Sequence, residues 1–243
     1  MDLAREAALQ GLPDGTVLCA DKQSAGRGRN GRAWASRLGG LYCTILERPN
    51  MALADFHLPV MVFQIAVARA LSSLCGKPAR LRWPNDIYID KHKIAGVMTE
   101  LGGEGDAIRW LATGIGVNVN NQVPLERAAS CAGIIGHPLS RRDVLLRILD
   151  EAKKIRAQTS SGTAYAQGNR ALAAEWNSLA DCVGAKLAVI YSGFEESRKE
   201  GAVLARGVFA GIDPAGRCII KSESGKDALY FNPGPVSIVF LSE

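Results

Sequence analysis

The stretch from Phe56 to Leu74 is the most apolar window of this 243-residue chain, and it limits the fold more than any other feature. It is long enough to cross a bilayer. It also contains His57, Gln64 and Arg69, and an arginine in the middle of a hydrocarbon layer is costly. The window is therefore expected to be a buried core helix over about 58–75, stopped by Gly76-Lys77-Pro78. The chain is 47% apolar and 22% charged, ordinary globular usage. A chain this long buries roughly 70% of its unfolded surface without a disulfide or metal staple. One large domain, or one with a small companion, is expected.

The six cysteines (Cys19, Cys43, Cys75, Cys131, Cys182, Cys218) include no C-x-x-C pair, and His57, His92 and His137 are far apart. A zinc site is not expected. The cysteines read as reduced thiols of a cytoplasmic protein, five of them in or beside apolar stretches. The N-terminus lacks a basic region followed by an apolar core, so no secretory signal is read. A net charge of +5 is too mild to imply DNA binding and suits an anionic small molecule equally well.

Along the chain, residues 2–10 read as a short helix closed by Gly11, 16–20 and 41–46 as strands, and 21–40 as a loop rich in Gly and Arg. Strands are expected over 80–89, 94–101 and 107–119. Ser140 and Asp143 resemble a capping box opening a helix that buries Val144, Leu145, Ile148, Ala152 and Ile155. Another helix covers about 164–178. From Cys182 onward, short Val- and Ile-rich strands between Gly, Pro and Asp turns read as a small β-barrel or sandwich. The expected domains are 1–181 and 182–243.

Three segments carry chemistry. In Gln23-Ser24-Ala25-Gly26-Arg27-Gly28-Arg29-Asn30-Gly31-Arg32-Ala33-Trp34, glycines admit close backbone approach. Three arginines within six residues repel one another unless an anion or a set of carboxylates neutralises them. Gly26, Gly28 and Gly31 match G-x-G-x-x-G literally, but no long helix can follow Trp34, so a dinucleotide site is rejected and NAD is not expected. A solvated basic loop fits the composition equally well. In Trp83-Pro84-Asn85-Asp86, Asp86 is a candidate Mg²⁺ ligand, against the simpler reading that Asn85 and Asp86 only form a turn. Lys93 opens the next strand beside small residues, either pointing into a cleft or serving as an edge charge. In Gly114-Ile115-Gly116-Val117-Asn118-Val119-Asn120, the glycines share one face and leave room for a flat ligand or for a tightly packed neighbour.

In order and spacing, Gln23 with Gly26-Arg27-Gly28-Arg29 through Trp34, Trp83-Pro84-Asn85-Asp86, Lys93-Ile94-Ala95-Gly96 and Gly114-Ile115-Gly116-Val117-Asn118 resemble the biotin protein ligases over nearly the whole chain. The resemblance implies an α/β (α+β) catalytic domain with a mixed sheet, related to lipoate ligases, followed by an SH3-like barrel. It implies ATP with Mg²⁺ and biotin as small-molecule partners. A biotin carboxyl carrier domain would be the protein partner, with no DNA, no membrane and a homodimer left open. The implied catalytic residues are Lys93, Arg29 and Arg27. Biotin would meet Gln23, Gly26, Arg27, Gly28, Arg29, Lys93, Gly96, Gly114 and Gly116; the nucleotide would meet Arg29, Asn30, Arg32, Trp34, Asn85, Lys93 and Asn118.

The sequence departs from that pattern in places. Relatives carry a Ser-Thr-Asn-like strand before the first helix, whereas here Met1-Asp2-Leu3-Ala4 already begins that helix. Weakened biotin binding, an exposed sheet edge and no preceding DNA-binding winged helix are expected. Asn30 stands at a position often basic in relatives, and Arg82 where Lys is commoner. The competing readings are a lipoate or octanoate ligase, a non-catalytic binding protein with the same pocket, and a nucleic-acid binder using the basic loop.

Overall fold

The computed structural model describes residues 1–49, 51–124, 126–159, 165–192, 201–222, 227–232 and 236–241. In chain order the elements are α1 (Asp2–Leu9), β1 (Val17–Ala20), β2 (Leu41–Glu47), α2 (His57–Cys75), β3 (Ala79–Arg82), β4 (Asp86–Ile89), β5 (His92–Glu104), β6 (Ala107–Val117), α3 (Cys131–Ile135), α4 (Arg141–Thr159) and α5 (Tyr165–Leu179). The C-terminal strands are β7 (Lys186–Tyr191), β8 (Val203–Ile212), β9 (Cys218–Ser222), β10 (Ala228–Phe231) and β11 (Val236–Phe240).

The first six strands form one sheet in the order β1-β2-β6-β5-β4-β3, and the last five a second in the order β10-β9-β8-β7-β11. Their ladders are antiparallel. The expected mixed sheet is thus corrected: among the described residues, parallel pairing is confined to the isolated bridges Leu81↔Ala180 and Lys93↔Ala128. The strand expected over 80–89 is two strands, split where the cis Trp83–Pro84 peptide turns the chain. The expected 107–119 strand ends at Val117, although the Asn118 amide still donates to the Ile94 carbonyl of β5 at 2.8 Å. The start of the helix expected at 164 lies outside the described residues.

Residues His57–Cys75 have the length and hydropathy of a membrane span. Met61, Val62, Phe63, Ile65, Val67 and Leu71 of this helix nevertheless belong to the main core, with Gly76 closing it at φ 63°. It packs on α4, α5 and the sheet. The Ser140 hydroxyl accepts from the Asp143 amide at 3.2 Å, the expected cap of α4. Leu187, Val189 and Phe209 join the same core cluster as α2, so the apolar interior is continuous from the first sheet to the second.

Strand alternation sorts the first sheet's two faces. Leu41, Cys43, Ile45, Val97, Ile115 and Val117 face the α2 core. Leu46, Trp110 and Ala112 meet Ala4 and Ala8 of α1 on the opposite face. There the strands continue into Thr44, Met98, Gly96, Gly114 and Gly116, which line a cavity.

Candidate active site

The cavity is about 620 Å³ in volume, the size of a pocket that encloses a small ligand. Its floor is the glycine-bearing face of the first sheet. The 23–34 loop forms one wall, Trp83 to Asp86 another, and Ser237 to Phe240 of β11 a third. Every residue expected to bind or react lines it except Gly26. A Cβ at Gly26 would lie 2.4 Å from the Trp34 carbonyl and 2.6 Å from Ser36 Oγ. Gly26 therefore allows the loop to close on itself, as does the bridge Arg27↔Ala33.

The three loop arginines have three different fates. Arg27 donates to both Asp2 carboxylate oxygens, at 2.9 and 2.6 Å, with Glu100 at 3.8 Å. Arg29 is drawn into the fold, where its Nη2 donates to the Val236 carbonyl at 3.0 Å. Burial pushes its guanidinium down to about 10, Asp86 opposing and Arg32 adding to the shift, so it stays cationic at neutral pH. Arg32 is exposed at the cavity wall. Asn30 takes a left-handed backbone, φ 54°, and its side-chain amide donates to Ser192 Oγ at 2.7 Å. The solvated-loop reading fails here: the segment is strapped to the C-terminal strands.

Lys93 Nζ lies 2.6 Å from Asp86 Oδ1 and 5.3 Å from the centroid of the Trp34 ring. It points into the cleft; it is not an edge charge. Its backbone is held on both sides, the amide donating to Arg127 O at 2.9 Å and the carbonyl accepting from Ala129 at 3.2 Å. The glycine face is covered by the Trp34 indole: a Cβ at Gly116 would lie 2.8 Å from Trp34 Cε2, and one at Gly96 3.3 Å from its Cζ3. A Cβ at Gly114 would lie 2.7 Å from the Met1 sulfur. The space left by the glycines is thus filled by a packed neighbour, the Trp34 ring and the Met1 sulfur. Gln23 Oε1 accepts from Ser36 Oγ at 2.5 Å. Asn85 fixes the turn through its carbonyl, which accepts from the Val97 amide at 2.9 Å. The buried Asn118 accepts from Asn121 at 3.0 Å.

Sequence reasoning did not place Tyr88, Lys91, Arg127 or β11 at this site. Arg82, noted only as a replacement for Lys, also lines it, with its guanidinium 3.9 Å from the centroid of Tyr88 and 4.9 Å from that of Phe240. Among the described residues the lining holds seven basic side chains (Arg27, Arg29, Arg32, Arg82, Lys91, Lys93, Arg127) and one carboxylate, Asp86. Arg32, Lys91 and Arg127 make no ion pair among the described residues, whereas Arg27, Arg82 and Lys93 do. Such a cavity suits an anion. No group of three metal-ligating side chains occurs among the described residues.

Residues 3–120 match the family described as the Biotin/lipoate A/B protein ligase family. The bifunctional ligase/repressor BirA of Bacillus subtilis is 36% identical over 153 residues, 60% of this chain and 47% of that protein. The chain thus spans about half the length of that relative. The biotin–[acetyl-CoA-carboxylase] ligase of Paracoccus denitrificans is 29% identical over 229 residues, 90% of this chain and 89% of its own. Among solved structures, the biotin protein ligase from Aquifex aeolicus in complex with biotin and ATP superposes with a TM-score of 0.76 at 26% identity, covering 98% of this chain and 94% of that one.

Proposed function

The chain carries a biotin/lipoate A/B protein ligase family domain, and from that premise we propose that it is an ATP-dependent biotin protein ligase. The observation that carries this reading is the convergence of Lys93, buried Arg29 and the Trp34 ring on its glycine floor in one basic cavity. An anionic carboxylate and a polyphosphate repel each other, and fixed positive charge where they meet offsets that repulsion.

In the first step, the biotin carboxylate attacks the α-phosphate of ATP, forming biotinyl-adenylate and releasing pyrophosphate. Lys93, held in place by Asp86, sits between carboxylate and α-phosphate; Arg29 stabilises the developing charge, with Arg27 and Gln23 on the biotin side. Gly28, Gly96, Gly114 and Gly116 supply backbone on the biotin side, the ring system displacing the Trp34 indole and the Met1 sulfur that cover the last three. Asn30, Arg32, Trp34, Asn85 and Asn118 serve the nucleotide, and Arg32 and its neighbours receive the phosphates. In the second step, a lysine amine of a biotin carboxyl carrier domain attacks the mixed anhydride and AMP leaves. The straps from Arg29 to Val236 and from Asn30 to Ser192 hold the loop over the adenylate and limit its hydrolysis.

Asp86 is a single carboxylate already engaged by Lys93, a poor holder for a resident ion. Mg²⁺ is read as entering with the phosphates of its nucleotide. Residues 1–181 are taken as the catalytic domain and 182–243 as an SH3-like one, and the six free thiols fit a reducing cytoplasm.

The test supplies ATP, a carrier domain and either labelled biotin or lipoate. Biotin-dependent pyrophosphate release with biotin on the carrier lysine is expected. Preferential lipoate transfer would assign the chain to the lipoate branch, and biotin binding without pyrophosphate release would make it a non-catalytic binder.

A further inference from the structure

Cys19 and Cys43 face each other across the β1–β2 ladder. Their place in the hydrogen-bond alternation follows from the start of that ladder. Gly15, at φ 78°, donates to the Leu46 carbonyl at 2.9 Å, and the Leu46 amide donates to Thr16 O at 2.8 Å. This is a bulge with glycine first, and it makes Thr16 opposite Leu46 a hydrogen-bonded pair. Antiparallel pairs alternate, so Val17↔Ile45 is non-hydrogen-bonded, Leu18↔Thr44 hydrogen-bonded and Cys19↔Cys43 non-hydrogen-bonded. At such positions opposing Cα atoms are about 4.5 Å apart and the side chains lie closest, within the range a disulfide spans.

Both are free thiols, Cys19 exposed and Cys43 buried in the core cluster facing α2. In sequence they bracket the whole segment that supplies Gln23, Arg27, Arg29, Arg32 and Trp34 to the cavity. The other neighbouring pairs, Cys75 with Cys131 and Cys182 with Cys218, have both thiols buried. Only the first pair combines direct cross-strand facing with a solvent-exposed thiol.

We propose that Cys19 and Cys43 form a modification site for low-molecular-weight disulfides, at which an intramolecular disulfide closes the substrate loop at its base. The Cys19 thiolate attacks one sulfur of the small disulfide, forming a mixed disulfide and expelling one small thiolate. The Cys43 thiolate then attacks the Cys19 sulfur and expels the second. The two cysteine protons end on the two released thiols; the protein loses two electrons and the small disulfide gains them. Burial pushes the Cys19 thiol up and the Cys43 thiol to about 12, so the resolving step is the slow one. Cys43 packs into the α2 core and also borders the cavity; the pairing of the two thiols owes nothing to the ligase reading.

The test treats the full chain with glutathione disulfide and follows intact mass and peptide maps without reduction. The expected product has lost two hydrogens, maps as a Cys19–Cys43 crosslink, and reverts with a small thiol. Cys19→Ser, at an exposed edge position, is expected to abolish the product. Cys43→Ala is expected to stop at a stable glutathione adduct on Cys19. A stable Cys19 adduct in the unsubstituted chain, a crosslink at either buried pair, or no reaction under conditions that modify a free surface thiol would each overturn the proposal.

Discussion

The two faces of the first sheet are built from the same strands and do opposite work. On the α2 face, Leu41, Ile45, Ile115 and Val117 are large and closed over. On the other face, the intervening positions of β5 and β6 include Gly96, Gly114 and Gly116, whose missing side chains admit the Trp34 ring and the Met1 sulfur. Successive residues in a strand point to opposite faces, so one short run such as Gly114-Ile115-Gly116-Val117 can anchor the core and hollow out a site at once. The lesson is that packing and binding are separable here by residue parity.

Substitutions on each side test that separation. Ile65 on α2 is fully enclosed. Ile65→Ala is expected to lower stability by about 2–5 kcal/mol in a denaturant titration, while the folded fraction keeps its biotin-dependent activity. Lys93→Ala is the converse: adenylate formation is expected to fall by at least about 2–3 kcal/mol in transition-state stabilisation, with the melting midpoint nearly unmoved because Lys93 is partly exposed. Gly116→Ala forces the indole off its seat, an overpacking cost of about 1–3 kcal/mol. Calorimetry with biotin should show that loss as weaker binding. Asp2→Asn removes one partner of Arg27, an exposed pair of a kind that contributes little and is screened by salt; no measurable change in melting is expected.

What could be read in the sequence divides along a physical line. The core helix, the capping of α4 and the contents of the 23–34 loop were legible because local signals fix them: an apolar run, a Ser–Asp spacing, glycines among arginines. The loop's partners were not. Val236 and Ser192 meet Arg29 and Asn30 from more than 160 residues away, and no short-range pattern encodes that. Arg127 reaches the cavity through the parallel bridge of Lys93 to Ala128, equally silent in sequence. The glycine face was legible as a space; its occupant, Trp34, was not. The break within 80–89 has a local signal, since Pro84 cannot donate to a sheet ladder and a turn is one of the two readings of Asn85 and Asp86.

The central claim is that cationic groups on the cavity face, above all Lys93, allow a carboxylate and ATP to meet. Biotin-dependent exchange of labelled pyrophosphate into ATP measures that step alone, without a carrier. Compared at a temperature where circular dichroism shows all proteins folded, Lys93→Ala is expected to lose tens- to about a hundredfold of the exchange rate, while Ile65→Ala keeps it. Equal exchange by the unsubstituted chain and Lys93→Ala would contradict the account.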